Sequence, residues 1–100
     1  MTKPDRLVVI GASAGGVPAL IRLVGELPRD FRPPVLIVLH IGPHKSVLPQ
    51  LLAERSGHDA AHARDGERLA PHTIRVAPPD HHLLVHDGTL VLNRGPRENL

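Results

Sequence analysis

The chain has 100 residues, with 12 basic and 10 acidic side chains and a formal net charge of +2 at pH 7. This length corresponds to one small domain or to part of a larger one. Hydrophobic residues make up 41% of the chain, which is enough for a core, but Phe31 is the only aromatic residue. A stacking surface for single-stranded nucleic acid is therefore not expected. Basic and acidic residues are interspersed, so the charge pattern predicts no nucleic-acid partner.

The sequence contains no cysteine, which excludes disulfides and thiolate metal sites. Its apolar runs of about five residues are far shorter than a membrane span. The first residues, Met1–Arg6, are polar and contain no apolar core of a signal peptide. These features predict a cytoplasmic protein without membrane insertion.

The first half of the chain predicts a strand, a helix and a second strand. Leu7–Ile10 and Val35–Leu39 are apolar runs typical of buried parallel strands. Val17–Leu27 has apolar residues at helical spacing, and Pro18 suits the first turn of a helix. Two strands joined in this way should be parallel with a right-handed crossover. The pattern favours an α/β fold.

The second half predicts one more helix and several short strands. The helix is expected to start from Ser46 as N-cap and to stop at Gly57. Asp87 and Gly88 separate two β-type runs and favour a two-residue hairpin turn. The predicted strands are Ala60–Ala63, Thr73–Ala77, His82–His86 and Thr89–Asn93.

Ser13 is the candidate nucleophile. It lies in the Gly-x-Ser-x-Gly sequence of residues 11–15, between a predicted strand and a predicted helix. A sharp strand-to-helix turn exposes a serine hydroxyl at the edge of a sheet. Free backbone N–H groups at the helix start could stabilise an oxyanion, and Ala14, Gly15 and Gly16 all remain open as donors. The alternative is a tight turn in which serine is merely small and polar.

His40 is the candidate general base. It follows the second apolar run, 27 residues after Ser13. Because the carboxyl ends of parallel strands meet at one edge of the sheet, where ligands of open α/β sheets bind, the two residues should lie close together. The alternative is a histidine that only caps the strand.

A catalytic triad also needs an acid that orients the histidine. The candidates are Asp59, Asp65, Asp80 and Asp87, and none has a position that selects it. His58 and His62 are spaced like metal ligands on a helix, but the local sequence disfavours a helix. No metal site is therefore predicted.

Several segments in order resemble one family. They are residues 9–16, residues 38–43, residues 74–85 and residues 94–99. Together they are similar to the CheB family, the chemotaxis protein-glutamate methylesterases. The resemblance covers nearly the whole chain.

The resemblance implies a fold, an activity and a site. The fold would be a three-layer α/β/α domain with a largely parallel sheet. The activity would be hydrolysis of γ-glutamyl methyl esters on the methylated cytoplasmic region of chemoreceptors, with deamidation of receptor glutamines in some members. Ser13 would be the nucleophile and His40 the general base, and no cofactor would be needed.

The resemblance also implies that residues 1–100 form a truncated, N-terminal portion of the catalytic domain, with no receiver domain. The family's catalytic aspartate would lie beyond residue 100. Ala14 stands where many members have threonine, which removes one hydroxyl from the turn. The chain alone is expected to be weakly active or inactive. A non-catalytic fragment or partner-binding α/β module is the main alternative, and a nucleotide-binding domain is disfavoured by the glycine pattern.

Overall fold

A computed structural model describes residues 6–40 and 47–94. Within these ranges the chain forms a parallel sheet with helices and a separate hairpin. A short 3₁₀ turn at Ala14–Gly16 joins the first strand to the first helix. The elements are β1 (Val8–Ser13), α1 (Val17–Gly25), β2 (Val35–His40), α2 (Leu48–Ser56), β3 (Asp59–His62), β4 (Thr73–Val76), β5 (His82–His86) and β6 (Thr89–Asn93).

The parallel sheet has the strand order β1-β2-β4-β3. The connections from β1 to β2 and from β2 to β3 advance in the same direction across the sheet. Since parallel crossovers are right-handed, α1 and α2 lie on the same face. The connection from β3 to β4 runs in the reverse direction and therefore passes over the opposite face.

The larger core lies between the helices and the sheet. Leu20 and Val24 of α1 and Leu48 and Leu52 of α2 pack against the strands. The fully buried side chains of this layer are all aliphatic, as the composition predicts. The strand residues in this layer are Val35, Ile37, Ile74 and Val76.

The hairpin β5–β6 covers part of the opposite face. Leu90 of β6 is buried against Leu36 of β2 and Ala63. The β3–β4 connection is tied to β6, because the Leu90 N–H donates to the Glu67 carbonyl at 2.7 Å. The turn residues Asp87 and Gly88 have φ values of 55° and 80°. Both values are positive, as a type I′ turn requires, which confirms the predicted hairpin.

The structure corrects several predicted boundaries. Strand β1 extends past Ile10 to Ser13, and α1 ends at Gly25 rather than Leu27. Strand β3 spans Asp59–His62 rather than the predicted Ala60–Ala63, and β4 ends at Val76 rather than Ala77. Ser46, the predicted cap, lies outside the described residues, and the N-cap of α2 is Val47, with no side-chain cap.

None of the helices in residues 6–40 and 47–94 is long and apolar enough to cross a membrane.

Candidate functional site

Ser13 is the last residue of β1 and is exposed. The chain leaves the strand through the 3₁₀ turn and enters α1 at Val17. An ideal Cβ on Gly16 would lie 3.5 Å from the Ala12 Cβ, so the turn folds back closely on the strand. The predicted strand–turn–helix arrangement around Ser13 is therefore present.

His40 is the last residue of β2, and its Cα is the register partner of the Cα of Ser13. Neighbouring strands lie about 4.8 Å apart. The structure thus brings the two predicted residues to adjacent positions at the carboxyl edge of the parallel sheet. This edge is where ligands of open α/β sheets bind.

The start of α1 provides a favourable environment for negative charge beside Ser13. The N-cap residue is Gly16, which makes no side-chain hydrogen bond to the helix, and the first turn has no acidic residue. The positive end of the helix dipole is therefore not neutralised by a side chain of the first turn. An oxyanion formed at Ser13 would be stabilised by this field.

A loop after β4 reaches the same sheet edge. The Ala77 N–H donates to the Ile37 carbonyl at 2.9 Å, which continues the contact with β2 beyond the last paired residue. Asp80 follows in this loop with a φ of 63° and is exposed. His81 donates from Nδ1 to the Pro79 carbonyl at 2.8 Å, which fixes the loop. Among the four candidate acids, Asp80 follows a strand that directly neighbours β2.

The other three acids have structural positions. Asp59 begins β3, at the amino edge of the sheet, and its Oδ2 lies 3.3 Å from Arg75. Asp65 accepts a hydrogen bond of 2.9 Å from the Leu92 N–H with its Oδ1. Asp87 lies in the hairpin turn. Asp59 therefore lies at the sheet edge opposite to that of His40, and Asp65 is bound to the backbone of β6.

Arg75 is the centre of an ion-pair network that the sequence analysis missed. Its Nε donates to Glu67 Oε2 at 2.6 Å and its side chain is 12% exposed. Burial lowers the pKa of Arg75, but its bonds to Glu67 and Asp59 raise it, and the net shift is upward. The sequence signal for this network is the charge of Arg75 within the otherwise uncharged strand Thr73–Val76.

His58 and His62, which are spaced like metal ligands on a helix, do not lie together in the structure. His58 lies directly before β3, where its Nε2 is 2.9 Å from the Pro28 carbonyl oxygen. His62 ends the same strand, about 13 Å further along at 3.3 Å per residue. Within the described ranges, no group of three or more histidine and carboxylate residues is arranged to hold a metal ion.

The comparisons with known proteins agree with this arrangement of strands and turn. Residues 8–99 match the sequence profile of a family described as CheB methylesterase. The chain belongs to the CheB methylesterase family. The fold is also similar to the crystal structure of the Thermotoga maritima CheB methylesterase catalytic domain, with a TM-score of 0.76 and 32% identity over 89% of this chain.

Curated relatives have a double name, protein-glutamate methylesterase/protein-glutamine glutaminase. The protein of Caulobacter vibrioides is 36% identical over 96% of this chain, and that of Symbiobacterium thermophilum is 39% identical over 93%. The chain spans 29% and 26% of the length of these two relatives, and 49% of the Thermotoga domain. The α/β fold and the family predicted from the sequence are confirmed.

Proposed function

We propose that this chain contributes the nucleophile and the general base of a protein-glutamate methylesterase. The observation that supports this most directly is the register pairing of Ser13 with His40 at the carboxyl ends of β1 and β2. The name of the family and the names of the relatives supply the reaction class.

The reaction begins with attack of the Ser13 hydroxyl on the ester carbonyl of a γ-glutamyl methyl ester. His40 accepts the hydroxyl proton as the new C–O bond forms. The tetrahedral oxyanion lies near the start of α1, where N–H groups and the helix dipole stabilise it. Collapse expels methoxide, which takes the proton from His40 and leaves as methanol. The product is an acyl-enzyme on Ser13.

Water then attacks the acyl-enzyme with His40 as base, and the glutamate carboxylate and free Ser13 are released. The double name of the relatives fits the same acyl-enzyme. A glutamine side chain would give this intermediate with ammonia as leaving group, after protonation by the imidazolium of His40. We therefore propose both γ-glutamyl esters and γ-glutamyl amides as substrates.

The partner in this proposal is the methylated cytoplasmic region of a chemoreceptor, and the location is cytoplasmic. The proposed catalytic aspartate lies beyond residue 100, as the family resemblance implies. Loss of the orienting acid lowers the rate of a serine protease by about 10⁴-fold. The isolated chain is therefore proposed to form the acyl-enzyme slowly.

A fluorophosphonate probe tests the nucleophile without requiring full turnover. We expect the probe to label the chain and label to be lost in Ser13→Ala. Ser46→Ala is the control, because it removes another serine of the same chain. Mass spectrometry of the labelled peptide identifies the modified residue. Labelling that persists in Ser13→Ala would remove Ser13 as nucleophile.

A further inference from the structure

Strand β3 is the outermost strand of the sheet on the side away from β1. It pairs with β4 on one side and ends the strand order on the other. The Ala63 N–H donates to the Val76 carbonyl at 2.9 Å, so the odd-numbered residues of this segment direct their backbone groups towards β4. Because the direction alternates along a strand, the N–H and C=O groups of Ala60 and His62 face the free edge. No hydrogen bond among residues 6–40 and 47–94 occupies these groups, so they are available to a further strand.

A cavity of about 550 Å³ lies beside this edge. It is lined by β3, by the following residues 64–67 and by Arg75. Ala60 packs against the core beneath the helices, whereas Ala63 is buried against the hairpin. Alternation therefore places Asp59 and Ala61 on the hairpin face of β3. Every second side chain of a strand added at β3 would project on this face and could enter the cavity.

The charged groups of the cavity leave an excess of one negative charge. They are three carboxylates and two guanidinium groups, which belong to Asp59, Asp65, Glu67, Arg64 and Arg75. Glu67 is held closely by Arg75, with 2.6 Å between Oε2 and Nε. Asp59 is 68% exposed, and its contact with Arg75 is longer, at 3.3 Å. Asp65 accepts a hydrogen bond from the backbone of β6 through Oδ1. Asp59 and Asp65 therefore each keep a carboxylate oxygen that accepts no hydrogen bond from the described part of the chain.

We propose that the free edge of β3 and this cavity form a docking surface for an extended segment of a partner protein that carries one lysine or arginine side chain. The backbone of the segment pairs with Ala60 and His62, as in other cases of recognition by strand addition. Its basic side chain reaches the carboxylates of Asp59 and Asp65. A single basic residue is favoured over a basic cluster, because Arg64 also lines the cavity and repels further cations.

This docking surface is separate from the proposed catalytic centre. Strand β4 lies between β3 and β2, the strand that ends at His40. Docking does not use the Ser13 hydroxyl, so Ser13→Ala should bind the segment like the unmodified chain. A failure of the proposed catalysis would therefore leave this inference standing.

Amide NMR with a synthetic peptide tests the docking surface. The probe is the acetylated and amidated peptide Thr-Val-Lys-Val-Thr, which is added to the isotope-labelled chain at low salt. We expect the largest amide shifts at Ala60 and His62, and binding about fivefold tighter than that of the same peptide with glutamate in place of lysine. Shifts confined to other elements would overturn the inference, and so would equal binding of the two peptides. Shifts of the same amides when the chain alone is concentrated would overturn it too, because a second copy would then be the occupant.

Two N-methylated forms of the lysine peptide test the strand pairing. Alternate backbone N–H groups of an added strand face β3, and methylation removes these donors. One form is methylated at the first, third and fifth residues, and the other at the second and fourth. We expect one form to lose binding and the other to bind within about twofold of the unmodified peptide. Equal binding of the two forms would overturn the pairing with β3. This test uses the unmodified chain and does not depend on the folding of a variant.

Matched variants of the chain locate the basic side chain. Asp59→Asn/Asp65→Asn removes both charges and keeps a side-chain oxygen that can accept the hydrogen bond from β6. It should abolish the preference for the lysine peptide over the glutamate peptide. Asp30→Asn is the control, because Asp30 is exposed and lies between α1 and β2. It should leave the preference unchanged, whereas an undiminished preference in the double variant would overturn the assignment of the cavity.

Discussion

Arg75 Nε donates a hydrogen bond of 2.6 Å to Glu67 Oε2, and this bond ties the β3–β4 connection to the parallel sheet. The second carboxylate oxygen, Glu67 Oε1, accepts from the Arg64 N–H at 3.1 Å. Arg75 also donates through Nη1 to the Asp59 carbonyl at 2.8 Å. One side chain therefore connects β4, the start of β3 and the segment that pairs with the hairpin.

Replacement of Arg75 by leucine should lower the free energy of unfolding by about 1–3 kcal/mol, because a half-buried carboxylate then loses its charged partner. The double variant Arg75→Leu/Glu67→Leu should recover part of this loss, since no charge is left unpaired. Asp59→Asn should change the free energy of unfolding by less than about 1 kcal/mol, because Asp59 is largely exposed. Urea unfolding of the four proteins measures these values. A double variant no more stable than Arg75→Leu would contradict the explanation.

Two glycines should respond in opposite directions to alanine. Gly57 ends α2 with a φ of 76°, and a Cβ there would lie 3.4 Å from the Arg29 guanidinium. Gly57→Ala should destabilise the chain by about 1–2 kcal/mol. Gly11→Ala meets open space at a negative φ and should stabilise it by about 0.5–1 kcal/mol. Thermal unfolding compares the pair, and a loss of stability in Gly11→Ala would show that Gly11 is packed against another group in solution.

The strands and the turn at Ser13 could be predicted because their signals are local. Apolar runs of β-branched residues, a glycine-rich turn and a helical repeat occur in sequence around Ser13. The length of β1 could not be predicted in the same way. Gly11, Ala12 and Ser13 have no strong strand preference, and they continue the strand because they pair with Val38, Leu39 and His40.

The Arg75 network depends on tertiary structure. Glu67 and Asp59 are 8 and 16 residues away from Arg75 in the chain. They come within hydrogen-bond distance of Arg75 only because β3 and β4 are paired. The strand order also could not be read from the sequence. The β3–β4 connection has no helix and reverses direction across the sheet, so the usual strand–helix–strand pattern is absent there.

The core beneath α2 should be sensitive to cavities. Leu52 is fully buried between α2 and the sheet. Leu52→Ala should lower the free energy of unfolding by about 2–5 kcal/mol, through lost apolar burial and the cavity left behind. Leu23→Ala on the exposed side of α1 is the matched control and should cost less than about 1 kcal/mol. Denaturant titration measures both, and similar costs would contradict the assigned layer.

His62 carries a buried nitrogen whose removal should be stabilising. Its Nε2 is inaccessible to solvent and has no hydrogen-bond partner in the described part of the chain, while its Cα pairs with that of Val76. A buried polar atom without a partner costs about 1–3 kcal/mol of desolvation. His62→Leu removes this atom while keeping an apolar side chain, so it should raise the free energy of unfolding by about 1 kcal/mol.

The control is His81→Leu, because His81 uses its Nδ1 to bind the Pro79 carbonyl in a loop. That variant should give no gain in stability. The two variants and the unmodified chain are compared by urea unfolding under identical conditions. A loss of stability in His62→Leu would contradict this prediction. It would mean that Nε2 has a hydrogen-bond partner in solution, either water or another part of the polypeptide. The carboxyl end of β3 would then contain a polar contact that the parallel sheet alone does not supply.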